Sequence, residues 1–273
     1  MTAMHLLKQA LFASAFGPAL ATIFTITAIP GVALAETAKV KGLRIARTCN
    51  DASRGYVGER AKVIMELQDN SGEKLERELM IEKKETGKGG EDLSTLTVLS
   101  PADVKKTRLL TWGKKQEDDQ WLYLPSMKRV KRITSQLRSG SFMGSEFSYE
   151  DFGTKPVERY EHEFLRDDKF DGRPVWVVEQ TPKNGESAYG KEIVWYDQEY
   201  KAPVKLELFA KNGEPLKIAE FSDYKKLDGK FWRPGRVKMK NLQTKRSSIL
   251  AWQKRDLGIK FQERSFASES LKD

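Results

Sequence analysis

The sequence predicts a mainly β protein, with a small helical part, built on one large antiparallel sheet. Three observations carry this reading. Short runs of alternating apolar and polar residues recur along the chain. Turn signals such as Asn212-Gly213 separate neighbouring runs, the strongest short hairpin signal present. No strand–helix–strand alternation occurs, so a parallel sheet is not expected. The runs amount to about 11 to 13 strands, mostly in hairpins. An antiparallel sheet of that many strands curls or closes, which protects its edges and encloses a volume.

The elements follow in order. Val40, Leu43, Ala46 and Cys49 recur every three residues and predict one amphipathic helix ending before Gly55, with Cys49 on its buried face. Two alternating runs meet at Asp69-Asn70-Ser71-Gly72; Val63, Met65 and Leu67 share one face of the first, Leu75, Leu79 and Ile81 one face of the second, with Arg77 an exception. Lys88-Gly89-Gly90 marks a loop, and Leu96 and Val98 belong to the next strand. Ser100-Pro101 before Ala102 to Val104 reads as an N-cap with proline at the first helical position, hence a short helical turn. Leu109 to Trp112 and Trp121 to Leu124 flank the acidic turn Glu117 to Asp119. In the second of these, Trp121 and Tyr123 point one way and Leu122 and Leu124 the other, so both faces should be covered or one should line a cavity. Further strands are predicted at Pro174–Thr181, Glu192–Tyr196, Pro203–Phe209, Leu216–Tyr224, Phe231–Leu242 and Ser247–Lys254, with Phe266 and Leu271 docking a terminal segment.

Residues 1–35 read as an export signal. A weakly basic start precedes the apolar stretch Leu11 to Ala28, the breaker Pro30-Gly31 and the small residues Ala33 and Ala35. Cleavage after Ala35 would leave residues 36–273 as one exported domain; the alternative is an uncleaved membrane anchor, since the apolar stretch is near spanning length. No cysteine sits at the cleavage point, so lipidation there is not expected.

Composition excludes several chemistries. The 48 basic and 39 acidic residues give +9, and loss of Lys8 with the signal leaves +8. Export turns that positive charge away from nucleic acid and toward anionic lipid, envelope polymers or an acidic partner. Cys49 is the only cysteine, so no disulfide forms within the chain and a real core must be buried. Once His5 leaves, His162 is the only histidine, which rules out a Cys/His zinc cluster within one chain. His162 sits among charged neighbours in YEHEF and reads as a surface residue. No catalytic residue, metal site or cofactor is assigned.

The stretch WLYLPSMKRVKRITSQLRSGSFMGSEFSYEDF, Trp121 to Phe152, is the most informative in the chain. Phe142, Phe147, Tyr149 and Phe152 either anchor a long loop on the core or touch an apolar ligand; one residue can do both. Lys128, Arg129, Lys131 and Arg132 alternate over two strand faces. They either meet an anionic headgroup or partner, or protect an edge strand from pairing. Glu146, Glu150 and Asp151 leave a hydrolase as an alternative, although no nucleophile motif accompanies them.

WLYLPSMKRVKRI followed by SGSFMGSEFSYEDF resembles the signature region of the outer-membrane lipoprotein-sorting proteins, in the periplasmic lipoprotein carrier superfamily. Within it the chain is similar to the branch typified by a Treponema lipid-binding lipoprotein. The match covers Trp121 to Pro125, Arg129, Arg132 and Phe142 to Phe152, with support from the flanks over nearly all of residues 36–273. The resemblance implies a single curved sheet forming an unclosed β-barrel, short capping helices and an apolar cavity for acyl chains. It implies no enzyme activity. Trp112, Trp121, Tyr123, Phe142, Met143, Phe147, Tyr149 and Phe152 are the expected cavity residues, and Lys128, Arg129, Lys131 and Arg132 the expected anion contacts. The implied cargo is a lipid or an acylated lipoprotein, with peripheral membrane contact. Members of the branch are also associated with inner-membrane transporters of the resistance-nodulation-division type, which leaves a non-carrying adaptor as an alternative.

Overall fold

The strand runs and turn signals organise into a sheet of 13 strands in a computed structural model that describes residues 36–87 and 91–272. The export signal, its Ala35 cleavage point and the Lys88-Gly89-Gly90 loop lie outside the described residues. The elements are α1 (Ala38–Ala52), β1 (Gly58–Gln68), β2 (Lys74–Lys84), β3 (Leu93–Ser100), β4 (Arg108–Trp112), β5 (Asp119–Leu124), β6 (Arg129–Ile133), β7 (Tyr160–Phe170), β8 (Arg173–Pro182), β9 (Lys191–Asp197), β10 (Ala202–Phe209), β11 (Pro215–Ser222), β12 (Lys225–Leu227), β13 (Phe231–Arg233), β14 (Arg236–Asn241) and β15 (Ser247–Leu257). Short 3-10 turns complete the set.

The spatial order is β6-β5-β4-β3-β2-β1-β15-β14-β11-β10-β9-β8-β7. Every neighbour pair is antiparallel. The barrel is unclosed: β6 and β7 are the two edges, and residues 134–159 connect them. The β12–β13 ribbon stands outside the large sheet. Inward residues such as Ala61, Val63, Met65, Leu79, Leu208 and Ala219 form the main core on the concave face.

α1 covers the β7 edge. Thr37 caps it, its hydroxyl accepting from the Val40 amide at 3.3 Å. Its buried face is Gly42, Ile45, Ala46 and Cys49, whereas Val40 is exposed. The three-residue period misplaced Val40 because a step of three drifts by about 60° on a helix, which leaves Val40 and Cys49 on opposite sides.

Other expectations need correction. Leu75 is exposed, because the register pairs it with Leu67 close to the hairpin tip, beyond the packed part of the sheet. Residues Pro101 to Lys106 are turns rather than helix; the Val98 and Lys106 amides donate into a loop closed by the Thr107 and Val98 carbonyls. The single strand expected over Phe231–Leu242 is split at Pro234-Gly235 into β13 and β14. Proline brings no N–H there, and a Cβ on Gly235 would lie 2.8 Å from the Asp223 carbonyl oxygen. His162 is buried, 5% exposed, not on the surface. It shares the inward phase of β7 with Tyr160, and its Nε2 lies 2.8 Å from the Val157 carbonyl oxygen.

The outer face of β4 and β5 is covered by the C-terminal segment. Phe266 and Leu271, each 1% exposed, pack with Leu110, Trp112, Trp121 and Tyr123. Trp112 Nε1 donates to the Phe266 carbonyl and Arg108 to that of Ser270, both at 2.7 Å. Burying two such apolar side chains contributes about 1.5–3 kcal/mol each.

Candidate functional site: an apolar cavity inside the open barrel

Residues from β1 to β4, β7 to β11, β14 and β15 all face one cavity of about 560 Å³, so the sheet wraps around it. That volume falls within the usual range for small-molecule pockets, about 300–1,000 Å³. Ala46 and Cys49 of α1 contribute to its wall, and Leu206, Phe221, Met239 and Leu250 are among the apolar groups lining it. Burial pushes the Cys49 thiol up to about 12.

The connection between the sheet edges forms another part of the wall. Its middle folds back as a small hairpin in which the Phe142 amide donates to the Phe147 carbonyl at 2.8 Å. Phe142 meets Phe152 edge to face at 4.9 Å between ring centres. The tip crosses to distant strands: Arg77 of β2 donates to the Met143 carbonyl at 2.5 Å, and Lys217 of β11 to the Glu146 carbonyl at 2.7 Å. The exceptional Arg77 in the β2 pattern is thereby explained.

Glu146, Glu150 and Asp151 of this connection all accept hydrogen bonds. Glu146 accepts from Asn241 at 2.9 Å. Glu150 accepts from the Ser187 hydroxyl and the Ala188 amide, both at 2.6 Å; burial still raises its carboxyl, with the Ser187 bond opposing. Asp151 accepts from the Ser148 amide at 2.7 Å and the Tyr189 hydroxyl at 3.0 Å. These bonds fasten the connection to the β8–β9 turn region and to β14.

Two polar groups interrupt the apolar wall. Beside β7 and β9, Lys155 pairs with Glu192 at 2.7 Å, and Gln180 donates to the Tyr196 hydroxyl at 2.6 Å. Burial works against the Lys155 ammonium, but the Glu192 carboxylate and neighbouring acidic groups raise its pKa on balance. The second group lies at the β1–β2 end remote from the hairpin tip. Glu59 of β1 stands directly across from Lys83 of β2, with Arg255 of β15 2.9 Å and Arg233 of β13 3.9 Å from its carboxylate oxygens. Arg54, just after α1, pairs nearby with Asp92 at 3.2 Å and Glu85 at 3.4 Å.

The structure divides the residues singled out from the sequence. Phe147 and Phe152 line the cavity. Phe142, Met143 and Tyr149 pack into the main core beside them, behind the lining. Trp112, Trp121 and Tyr123 do not reach the cavity: they lie on the opposite face of the sheet under the C-terminal segment, since the inward residue of that stretch is Leu122. Lys128, Arg129, Lys131 and Arg132 are exposed on and beside the edge strand β6, away from the cavity wall, with Arg132 paired to Asp119. Lys83, Arg233 and Arg255 are cavity cations that the sequence pattern does not single out. Only the inward phase of Lys83, shared with Leu79 and Ile81, marks one of them in the sequence.

A smaller polar cleft of about 40 Å³ surrounds Asp118. Asp118 is satisfied by the Thr154 amide at 2.6 Å, the Thr154 hydroxyl at 2.7 Å and Arg159, so this cleft is a structural junction.

Comparison with known proteins places this architecture. A family model described as an uncharacterized protein matches residues 90–273. An outer membrane lipoprotein-sorting protein domain from Vibrio parahaemolyticus is 36% identical, with a TM-score of 0.83 over 85% of this chain and 99% of that one. A DUF1329 family protein from Desulfovibrio piger shares the fold at 23% identity, with a TM-score of 0.81 over 86% of this chain and 99% of its own. A LolA superfamily protein from Nitrosomonas europaea does so at 18% identity, with a TM-score of 0.69 over 84% and 98%. No curated protein sequence matches the chain.

Proposed function

Because this chain belongs to the family of outer membrane lipoprotein-sorting protein domains, we propose that it is a periplasmic carrier of lipid or acylated lipoprotein. The observation that carries this reading is the cavity of about 560 Å³ with its largely aliphatic and aromatic wall. Each methylene taken from water into such a wall contributes about 0.8 kcal/mol, so part of one acyl chain supplies substantial affinity. Phe147 and Phe152 are the ligand contacts from the central segment, and Phe142, Met143 and Tyr149 support them from behind. The carboxylates Glu146, Glu150 and Asp151 serve as fastenings in this reading, in keeping with the hydrogen bonds each accepts.

The exposed cations Lys128, Arg129, Lys131 and Arg132 act at the other end of the carrier's task, in peripheral contact with an anionic membrane surface. Each such residue near an anionic leaflet adds about 1 kcal/mol to the attraction.

Native mass spectrometry after mild purification tests the carrier reading. The expected result is protein bearing lipid, or protein that takes up lipid when mixed with vesicles containing phosphatidylglycerol. Protein that arrives empty and stays empty after that exposure overturns it.

A further inference from the structure

Lys83 occupies an unusual position. It follows Leu79 and Ile81 on the inward face of β2, and its side chain lines the cavity. It is exposed, yet it stands along the cavity wall with protein crowded around it. Among the described residues its ammonium makes no hydrogen bond and no ion pair. Its cross-strand neighbour Glu59 is already engaged by Arg255 at 2.9 Å and Arg233 at 3.9 Å. The other two carboxylates at this end, Glu85 and Asp92, face Arg54 at 3.4 and 3.2 Å, and Glu85 also accepts from the Gly55 and Val57 amides at 2.9 and 3.1 Å.

Four cations, Arg54, Lys83, Arg233 and Arg255, thus share three carboxylates, Glu59, Glu85 and Asp92. One positive charge is in surplus, and Lys83 is the member with no partner among the described residues. Protein crowded around an ammonium that lacks a counter-ion makes its charge costly, which pulls its pKa down. An anion arriving in the cavity would remove that cost and gain a charge-assisted hydrogen bond.

We infer that the cavity's cargo is an amphiphile with an anionic group, a carboxylate or a phosphate, which is seated at Lys83 while its acyl chain lies along the apolar wall toward Phe147. This rests on the carrier reading and narrows it. A neutral acyl group on a lipoprotein would fill the apolar wall but leave Lys83 unpaired. The recognition element is inside the barrel, not at the exposed β6 cations.

Displacement of the uncharged dye Nile red from delipidated protein tests this, using palmitate, phosphatidylglycerol and the uncharged monopalmitin as competitors. Hydrogen bonds to charged groups give an expected preference of about tenfold or more for an anionic competitor over monopalmitin. Palmitate as the favoured competitor identifies a carboxylate, and phosphatidylglycerol a phosphate. Lys83→Met should remove the preference of the anionic competitors over monopalmitin, and Lys83→Arg should retain it; thermal melts of both variants verify folding. Equal affinities for charged and uncharged competitors in the parent protein overturn this inference alone, as does a preference that survives in a folded Lys83→Met. Absence of binding by all three overturns the carrier reading and this inference with it.

Discussion

Gly42 of α1 lies against the backbone of Phe164 in β7 so closely that a Cβ on the glycine would sit 2.7 Å from the Phe164 amide nitrogen. The contact lets the helix lie flat on an edge of the sheet, and Lys41 reinforces it by resting 3.4 Å above the Phe164 ring. An edge strand that would otherwise offer free backbone groups is covered in this way.

Gly42→Val should therefore lift α1 from β7. Strain of this kind costs about 1–3 kcal/mol. Urea unfolding should show a lower midpoint, with the same loss absent from a substitution at exposed Val40.

Phe142→Ala tests the fastening of the 134–159 connection. Phe142 has no exposed surface, and removing such an aromatic costs about 3–5 kcal/mol. Limited proteolysis should find new cleavage sites within residues 138–152. A variant with unchanged stability would contradict the packing described for this segment.

Ala219 is 1% exposed and lines the cavity from β11, beside the space an acyl chain would fill. Ala219→Phe should reduce lipid uptake strongly while the protein stays folded. Lipid per protein by native mass spectrometry and the thermal midpoint together decide the matter: full lipid loading in a folded variant would place the cargo elsewhere.

His162 gives a defined pH response. Burial lowers its pKa, while the Val157 carbonyl and nearby Glu158 act in the other direction. The unfolded chain therefore takes up a proton first. The stability due to neutral His162 is complete above about pH 6.5, the unfolded value, and declines as pH falls from there to the folded value. Urea midpoints at pH 7.5 and 5.5 should differ in the parent protein, and His162→Asn should reduce the difference.

Cys49 should be nearly inert to thiol reagents in the folded protein at pH 8, since burial holds its thiol near 12. Reaction with Ellman's reagent should be slow in buffer and complete in urea.

Hairpins were legible wherever turn chemistry is local. Asn212-Gly213 turns β10 into β11 with Gly213 at φ 85°, as its lack of a Cβ permits. Two-sided covering of β5 was legible too, because alternation reports both faces at once. Which face met the cavity was not legible, since Trp121 is covered by residues more than a hundred positions later. The charged neighbours of His162 suggest a surface position, but Glu161 and Glu163 point outward and the alternate residues follow the opposite rule. Lys83 escaped because its meaning depends on Arg233 and Arg255, which reach the same carboxylate from separate strands.

The pairing of β1 with β15 has a consequence for how the molecule comes into being. Glu59 finds Leu257 across the centre of the sheet, so the first strand waits for the last. The meander from β1 to β6 and the later strands can each begin locally, but they share no common interior until the final strand arrives. A topology of this kind makes folding slow and defers its completion to the end of chain synthesis. The cavity therefore comes into existence only with the finished polypeptide, and a chain truncated before Ser247 would lack the wall that β15 supplies to it.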